Sequence, residues 1–223
     1  LISFGGFLPI EMASMRMGLP LICASWQSIA MKRYLALCVF CLWPLAAPAA
    51  ELSSAYTKFD LKDCKQAIPA DEYVFEGMWV CKGFGGIDIY QSGEDARSYA
   101  AFGIDAARHC AFRKTFNPFN TALSPVEWRL KDGKPFAAIE RWSVVNDDKG
   151  NSVTWLVVNA LRANDSCHVH YVSGSYPEAN AAARRAADDL AEGFNCETDV
   201  PTVDSKTGPP PIEFKACKDM ARE

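Results

Sequence analysis

The alternation of apolar and polar residues in the middle of the chain predicts an antiparallel sheet. Val126 to Leu130 alternates apolar and charged side chains, which is typical of a half-buried strand. Asp132 and Gly133 follow directly, and this dipeptide is a strong signal for a two-residue hairpin turn. The other strands predicted in this region are 135–145, 153–161 and 167–172. Because polar turns separate the four strands, we expect a meander in which each strand pairs with the next.

Three further strands and one helix flank this meander. The strands are predicted at 73–81, 87–91 and 97–102. Beyond them the apolar period changes from two to 3.6, which predicts a helix, and Ser175 with Glu178 fits a capping box at its start. Its apolar stripe consists of Ala179, Ala182, Ala183, Ala186, Ala187 and Leu190. On its exposed side Arg184 and Asp188 lie four residues apart and are expected to pair.

These elements together define the expected fold class. The chain is predicted to be an α+β protein in which an antiparallel sheet packs against one C-terminal α-helix. The sheet is expected to contain the meander of about four strands plus the N-terminal strands, with disulfides stabilising the whole.

Counting residues across the turns assigns the side chains of the meander to two faces. With a two-residue loop at 132–133, Arg129 lies opposite Phe136 and Glu127 lies opposite Ala138. The face expected to lie under the helix carries Val126, Trp128, Leu130, Ile139, Trp155, Val157, Val169 and Tyr171. The second face carries Glu127, Arg129, Phe136, Glu140, Trp142, Leu156, Val158, His168 and His170. The second face is either covered by the N-terminal strands or forms a binding surface, and a bulge in a longer loop would swap the assignment beyond it.

The segment that begins at Met31 has the pattern of a secretory signal peptide. Lys32 and Arg33 are followed by an apolar run and then by small residues, with an A-x-A-like site at Ala47 and Ala49. A spanning helix needs about 20 apolar residues, so an uncleaved membrane anchor is the weaker interpretation. The predicted organisation is an upstream mis-translated extension (1–30), a signal peptide (31–49), a globular domain (50–196) and a proline-rich tail with a short terminal helix (197–223). The alternative for residues 1–30 is a genuine extension.

The charge balance argues against a nucleic-acid partner. The chain has 23 basic and 27 acidic residues. Three of the basic residues and one of the acidic residues precede residue 50, so the remainder carries a net charge of −6. No run of basic residues is present to follow a phosphate backbone.

Six cysteines follow residue 49, and their even number in an exported chain predicts disulfides. They are Cys64, Cys81, Cys110, Cys167, Cys196 and Cys217. Six cysteines allow about 15 connectivities, among which sequence does not choose. We favour Cys64–Cys81, Cys167–Cys196 and Cys110–Cys217, which would join a loop to a strand, a strand to the following helix, and the tail to the domain. These six cysteines lack the paired C-x-x-C spacing of a zinc site. Their even number leaves no free thiol to act as a nucleophile.

Three groups of residues have side chains of the types found in catalytic or metal sites. His168 and His170 on one strand face, with His109 or Glu140, are a weak zinc signal. Ser175 lies between a strand and a helix, but the G-x-S-x-G pattern is absent, and a helix cap explains this serine. Glu127 with Glu140 has the residue types of an acid and base pair, although a solvated face is the usual reason for such residues. We predict no cofactor.

Several segments resemble a family of small exported proteins of alphaproteobacteria that is described only as a domain of unknown function. The segments are 59–64 (FDLKDC), 116–120 (FNPFN), 126–130 (VEWRL), 135–142 (PFAAIERW) and 167–172 (CHVHYV). The resemblance covers roughly residues 55–196. It implies a Gram-negative envelope setting and transfers no catalytic residue. In addition, residues 173–176 (SGSY) resemble the serine-glycine loop of periplasmic lysozyme inhibitors.

The sequence therefore predicts a periplasmic or secreted envelope module with a binding or inhibitor-like function rather than an enzyme. Its partner is expected to be a periplasmic or host protein, with no membrane anchor after signal cleavage. The predicted binding residues are Glu127, Arg129, Glu140, Trp142, His168 and His170. The alternative is a periplasmic hydrolase that uses the carboxylate pair or a histidine-held metal.

Overall fold

The structure is a computed structural model that describes residues 50–68 and 75–220. The predicted extension (1–30) and the predicted signal peptide (31–49) lie outside the described residues. So do residues 69–74, where the strand predicted from Tyr73 was expected to begin, and residues 221–223.

A six-stranded sheet, here called the large sheet, contains the predicted meander. Numbered in chain order, its strands are β1 (Leu52–Thr57), β6 (Asn120–Lys131), β7 (Lys134–Val145), β8 (Ser152–Leu161), β9 (Ser166–Ser173) and β10 (Thr202–Asp204). They lie in the order β1-β6-β7-β8-β9-β10 across the sheet. Neighbouring strands are antiparallel except β10, which pairs parallel to β9. The meander and the antiparallel fold class are thus confirmed, while β1 and β10 were not predicted.

A second, four-stranded sheet, here called the small sheet, covers one face of the large sheet. It contains β2 (Lys65–Ile68), β3 (Phe75–Cys81), β4 (Ile89–Glu94) and β5 (Arg97–Phe102), in sequence order and antiparallel. Its buried residues, including Ile89 and Phe102, pack against Val126 and Trp128 of β6. The rings of Phe102 and Trp128 meet edge to face, with centroids 5.5 Å apart.

One α-helix, α1 (Ala179–Leu190), covers the opposite face of the large sheet. Ala182, Ala183, Ala186 and Ala187 are buried against the sheet, as the alanine stripe predicted. Small side chains allow the helix to approach the strands closely. The start of the helix differs from the prediction, because its N-cap is Glu178 in a left-handed conformation without a side-chain cap. Ser175 instead shares a 2.8 Å hydroxyl contact with Ser173.

The face assignment is wrong for β6, for β8 and for Tyr171, whereas Ile139 and Val169 lie under the helix as expected. The turn at Asp132 and Gly133 forms as predicted, with both residues at positive φ. A register shift then falls between Arg129 and Leu130, so that Arg129 pairs with Ala137 rather than with Phe136. Trp128 therefore lies towards the small sheet and not under the helix. The β7–β8 hairpin pairs Ile139 with Val158, so Val157 and its partner Tyr171 lie on the opposite face, towards the tail.

The tail packs onto the same core as the domain. Ile212, Ala216 and Cys217 are buried. The tail ends in a 3-10 turn, Cys217–Asp219, in place of the predicted terminal helix. No helix among the described residues is long and apolar enough to cross a membrane.

Two of the three favoured disulfides are confirmed, and the third is wrong. Cys64–Cys81 and Cys167–Cys196 are bonded, with S–S distances of 1.98 and 2.03 Å. Cys110 and Cys217 are buried free thiols. They lie side by side: burial, followed by a hydrogen bond with Cys217, raises the pKa of the Cys110 thiol. The prediction that Cys110 and Cys217 lie close together is thus confirmed, and the predicted disulfide between them is wrong.

Site-specific alkylation is expected to separate these two classes of cysteine. In the folded, unreduced chain Cys110 and Cys217 should resist iodoacetamide, because both are buried. Both should react once guanidinium unfolds the protein, whereas the four bonded cysteines should react only after reduction. Peptide mapping by mass spectrometry reads each site. A peptide cross-linked through Cys110 and Cys217 would contradict the expectation.

Candidate functional site

The six residues predicted to bind a partner are all buried and do not share one surface. Their exposed fractions are at most 8%, and they divide between the two faces of the large sheet. Glu127 and Arg129 lie under α1, whereas Glu140, Trp142 and His168 lie on the side of the small sheet. The bulges in the sheet are the physical reason for this division, since each shifts the later residues of a strand to the other face.

Glu127 and Arg129 form an ion-pair network that ties α1 to the sheet. Arg129 contacts both carboxylate oxygens of Asp188, with its Nε and Nη2 at 2.8 and 2.7 Å. Arg184 Nε donates to Glu127 Oε1 at 2.6 Å. The hydroxyl of Ser54 on β1 links the pairs, since it accepts from Arg129 and donates to Glu127. The network holds the helix against two strands and gives each of these charged groups an oppositely charged partner.

Glu140 is buried between the two sheets. Gln91 Nε2 of β4 donates to its Oε1 at 2.8 Å, and Trp142 Nε1 donates to its Oε2 at 3.1 Å. Burial raises the pKa of Glu140 to about 8, although both hydrogen bonds lower it. The carboxyl group is therefore largely protonated at neutral pH and joins the sheets as a polar contact.

The two histidines of β9 point to different neighbours. His168 Nδ1 lies 2.9 Å from the hydroxyl of Tyr171. His170 pairs with Val158 of β8 across a register shift, and its Nδ1 lies 2.6 Å from Thr202 Oγ1 of β10. Burial lowers the pKa of both imidazoles, which disfavours their charged form. Within the described part of the chain, no three His, Cys, Asp or Glu residues form a group that could hold a metal ion.

The structure does not bring together the carboxylates named in the hydrolase alternative. Glu127 pairs with Arg184 beneath α1, whereas Glu140 lies between the sheets. These two carboxylates are on opposite faces and cannot act together on one bond. Ser175 contacts Ser173 and no histidine among the described residues.

An open cleft lies where β7 turns into β8, beside the tail. Its volume is about 810 Å³. It is lined by Asn117, Pro118, Phe119, Val144, Val145, Asn146, Asp147, Asp148, Gly150, Val153, Trp155, Thr207 and Pro211. Phe119 and Val153 are exposed at 56% and 39% of their surface. Exposed apolar side chains that surround a concave surface mark a site of association.

The rim of this cleft carries negative charge. Asp147 accepts hydrogen bonds from the backbone of Lys149 and from the backbone and side chain of Asn151. The side-chain bond from Asn151 contributes most to lowering the pKa of Asp147, so this group is a carboxylate at neutral pH. Asp148 lies next to it and is exposed.

Sequence reasoning missed this cleft, because its three segments meet only in the folded chain. The loop 116–119, the end of the β7–β8 hairpin and the tail at 207–211 are distant in sequence. One local signal was available: Pro118 and Phe119 are apolar residues within a long connection that has no periodic pattern.

Comparison with known proteins provides no relative for this fold or this cleft. The chain matches no protein family, no curated protein and no solved structure.

Proposed function

We propose that the chain is an exported binding module that holds a cationic protein segment in the cleft beside the β7–β8 hairpin. The observation that carries the proposal is an apolar cleft of about 810 Å³ with exposed Phe119 and Val153 inside an acidic rim. The predicted signal peptide and the two disulfides support a periplasmic or secreted location. This is the binding function predicted from the sequence, with the cleft as its site in place of the six buried residues.

The chemistry of the partner follows from the surface of the cleft. Pro118, Phe119, Val153 and Pro211 offer contacts to an apolar side chain, and burial of that side chain supplies most of the affinity. Asp147 and Asp148 favour a neighbouring Lys or Arg of the partner. The net charge of −6 beyond residue 49 steers a basic protein towards this surface.

Affinity capture with matched variants tests this assignment. The wild-type chain is immobilised and exposed to periplasmic extract and to secreted host fluid, with Val153→Asp as the cleft variant. Ile104→Asp is the control, because Ile104 is 76% exposed and does not line the cleft. We expect the wild type and Ile104→Asp to retain one basic protein stoichiometrically, and Val153→Asp to lose it, since a buried carboxylate would stand in the apolar contact.

Two results would contradict the proposal. The first is equal retention of the partner by Val153→Asp, which would place binding elsewhere. The second is the absence of any stoichiometric protein from both sources while an unrelated control bait captures its own partner. Thermal unfolding of each variant confirms that the fold is intact before the capture is interpreted.

A further inference from the structure

A second cavity, of about 420 Å³, lies between the small sheet and the tail. Its lining residues are Ser92, Glu94, Tyr99, Phe112, Arg113, Lys114, Thr115, Asn117, Ile212, Glu213 and Met220. The volume is within the ordinary range for small-molecule sites. Two consecutive cations, Arg113 and Lys114, are part of this lining.

The ammonium group of Lys114 is buried and hydrogen-bonds to a backbone oxygen. Lys114 is 4% exposed, and its Nζ donates to the backbone oxygen of Lys215 at 2.7 Å. It forms no ion pair with any carboxylate of residues 50–68 or 75–220, although Glu213 is near enough to act on it electrostatically. Burial lowers the pKa of Lys114, which reflects the cost of its charge in this position.

The guanidinium group of Arg113 is half-buried and also forms no ion pair with a carboxylate of the described residues. Its Nη2 contacts Cys217 Sγ at 2.6 Å, and its Nε is buried without a hydrogen-bond partner in the described part of the chain. A buried donor that lacks an acceptor costs free energy. An anion placed between Arg113 and Lys114 would satisfy both groups and would remove much of this cost.

The remaining walls define the rest of the ligand. Tyr99 and Phe112 lie with ring centroids 6.2 Å apart, and Ile212 and Met220 add apolar surface. Glu94 and Glu213 also line the cavity. Their carboxylates disfavour a dianion such as phosphate, whereas a single carboxylate can reach the cations at a lower electrostatic cost.

We infer that this cavity binds a small monocarboxylate whose body is apolar or aromatic. The carboxylate contacts Arg113 and Lys114, and the body lies against Tyr99, Phe112 and Ile212. The inference is independent of the proposed protein-binding cleft, because it rests on different walls and charges; Asn117 alone lines both.

Isothermal titration of the full chain with phenylacetate tests this inference. We expect a dissociation constant of about 1 mM or tighter. Arg113→Met should weaken binding by at least about tenfold, as the loss of a charge-assisted hydrogen bond does. Lys114→Met should have a similar effect. Lys131→Met is the matched control, because this partly exposed lysine pairs with Glu192 and neither residue lines the cavity; it should leave affinity within about twofold.

The comparison ligands make the result decisive. Phenethylamine has the same ring with an ammonium group and should not bind, and inorganic phosphate should not displace phenylacetate. The inference is overturned if phenylacetate fails to bind, if Arg113→Met binds it as well as the wild type does, or if phenethylamine or phosphate binds better. Arg113→Met keeps the test valid even if Lys114→Met does not fold.

Discussion

The stability of Glu140→Gln relative to the wild type is expected to rise by about 4 kcal/mol between pH 4.5 and 8. The pKa of Glu140 is about 8 in the folded protein and 4.5 in the unfolded chain. The unfolded chain therefore releases the proton first, and the wild type loses stability as the pH rises through this window. Glutamine stays neutral and does not contribute this loss. It cannot accept from both Gln91 and Trp142, so it carries a constant cost at every pH.

Guanidinium unfolding of both proteins at a series of pH values measures this difference. The difference is the correct quantity, because His168 acts in the opposite direction. Its pKa lies well below 6.5, so it destabilises both proteins as the pH falls below 6.5. Glu213→Gln is the control for the same replacement at an exposed position. A difference between Glu140→Gln and the wild type that does not change with pH would contradict the expectation.

Arg129→Ala is expected to lower the free energy of unfolding by about 3 kcal/mol at neutral pH. Arg129 is 7% exposed and makes two contacts to Asp188 and one to Ser54. Its removal leaves the carboxylate of Asp188 beneath the helix without its counter-charge. Breaking a buried pair by removing one partner costs more than the pair itself contributes.

Lys131→Ala provides the matched comparison on the same strand. Lys131 pairs with Glu192 at 2.6 Å, but the two side chains are 40% and 52% exposed. Solvent screens this pair, so its loss should cost less than about 1 kcal/mol. Equal losses of unfolding free energy for Arg129→Ala and Lys131→Ala would contradict the conclusion that burial sets the strength of these ion pairs. Thermal or chemical unfolding followed by circular dichroism measures both.

The sequence predicted the parts of the fold that depend on local patterns. Alternation and the Asp132-Gly133 turn identified the meander, and the alanine spacing identified α1. The edge strand β1 was missed, because residues 52–57 have no clear alternation and pair with a segment far along the chain. The strand β10 was missed, because it has three residues in a polar tail.

The faces of the sheet could not be predicted, because a bulge leaves no trace in the periodicity. One extra residue near Leu130 moved Trp128 away from the helix, and the pairing of Ile139 with Val158 across the β7–β8 hairpin moved Trp155 and Tyr171 away from it. The predicted ion pair between Arg184 and Asp188 does not form, and the cause is again a long-range contact. Arg184 and Asp188 are correctly spaced for a pair along the helix, but each instead contacts an oppositely charged residue of β6. Long-range packing offered these groups buried partners, which are stronger than an exposed pair.

The strand order also sets the order in which the large sheet can assemble. The hairpins of the meander join neighbours in sequence, so their closure costs little conformational entropy. The strand β1 pairs with β6, so Leu52 can pair only after the chain as far as Lys131 has been placed. The strand β10 pairs with β9 only after α1 and the following loop have been placed. We therefore expect the four central strands to form a nucleus onto which both outer strands add, with the first segment of the domain among the last to become ordered.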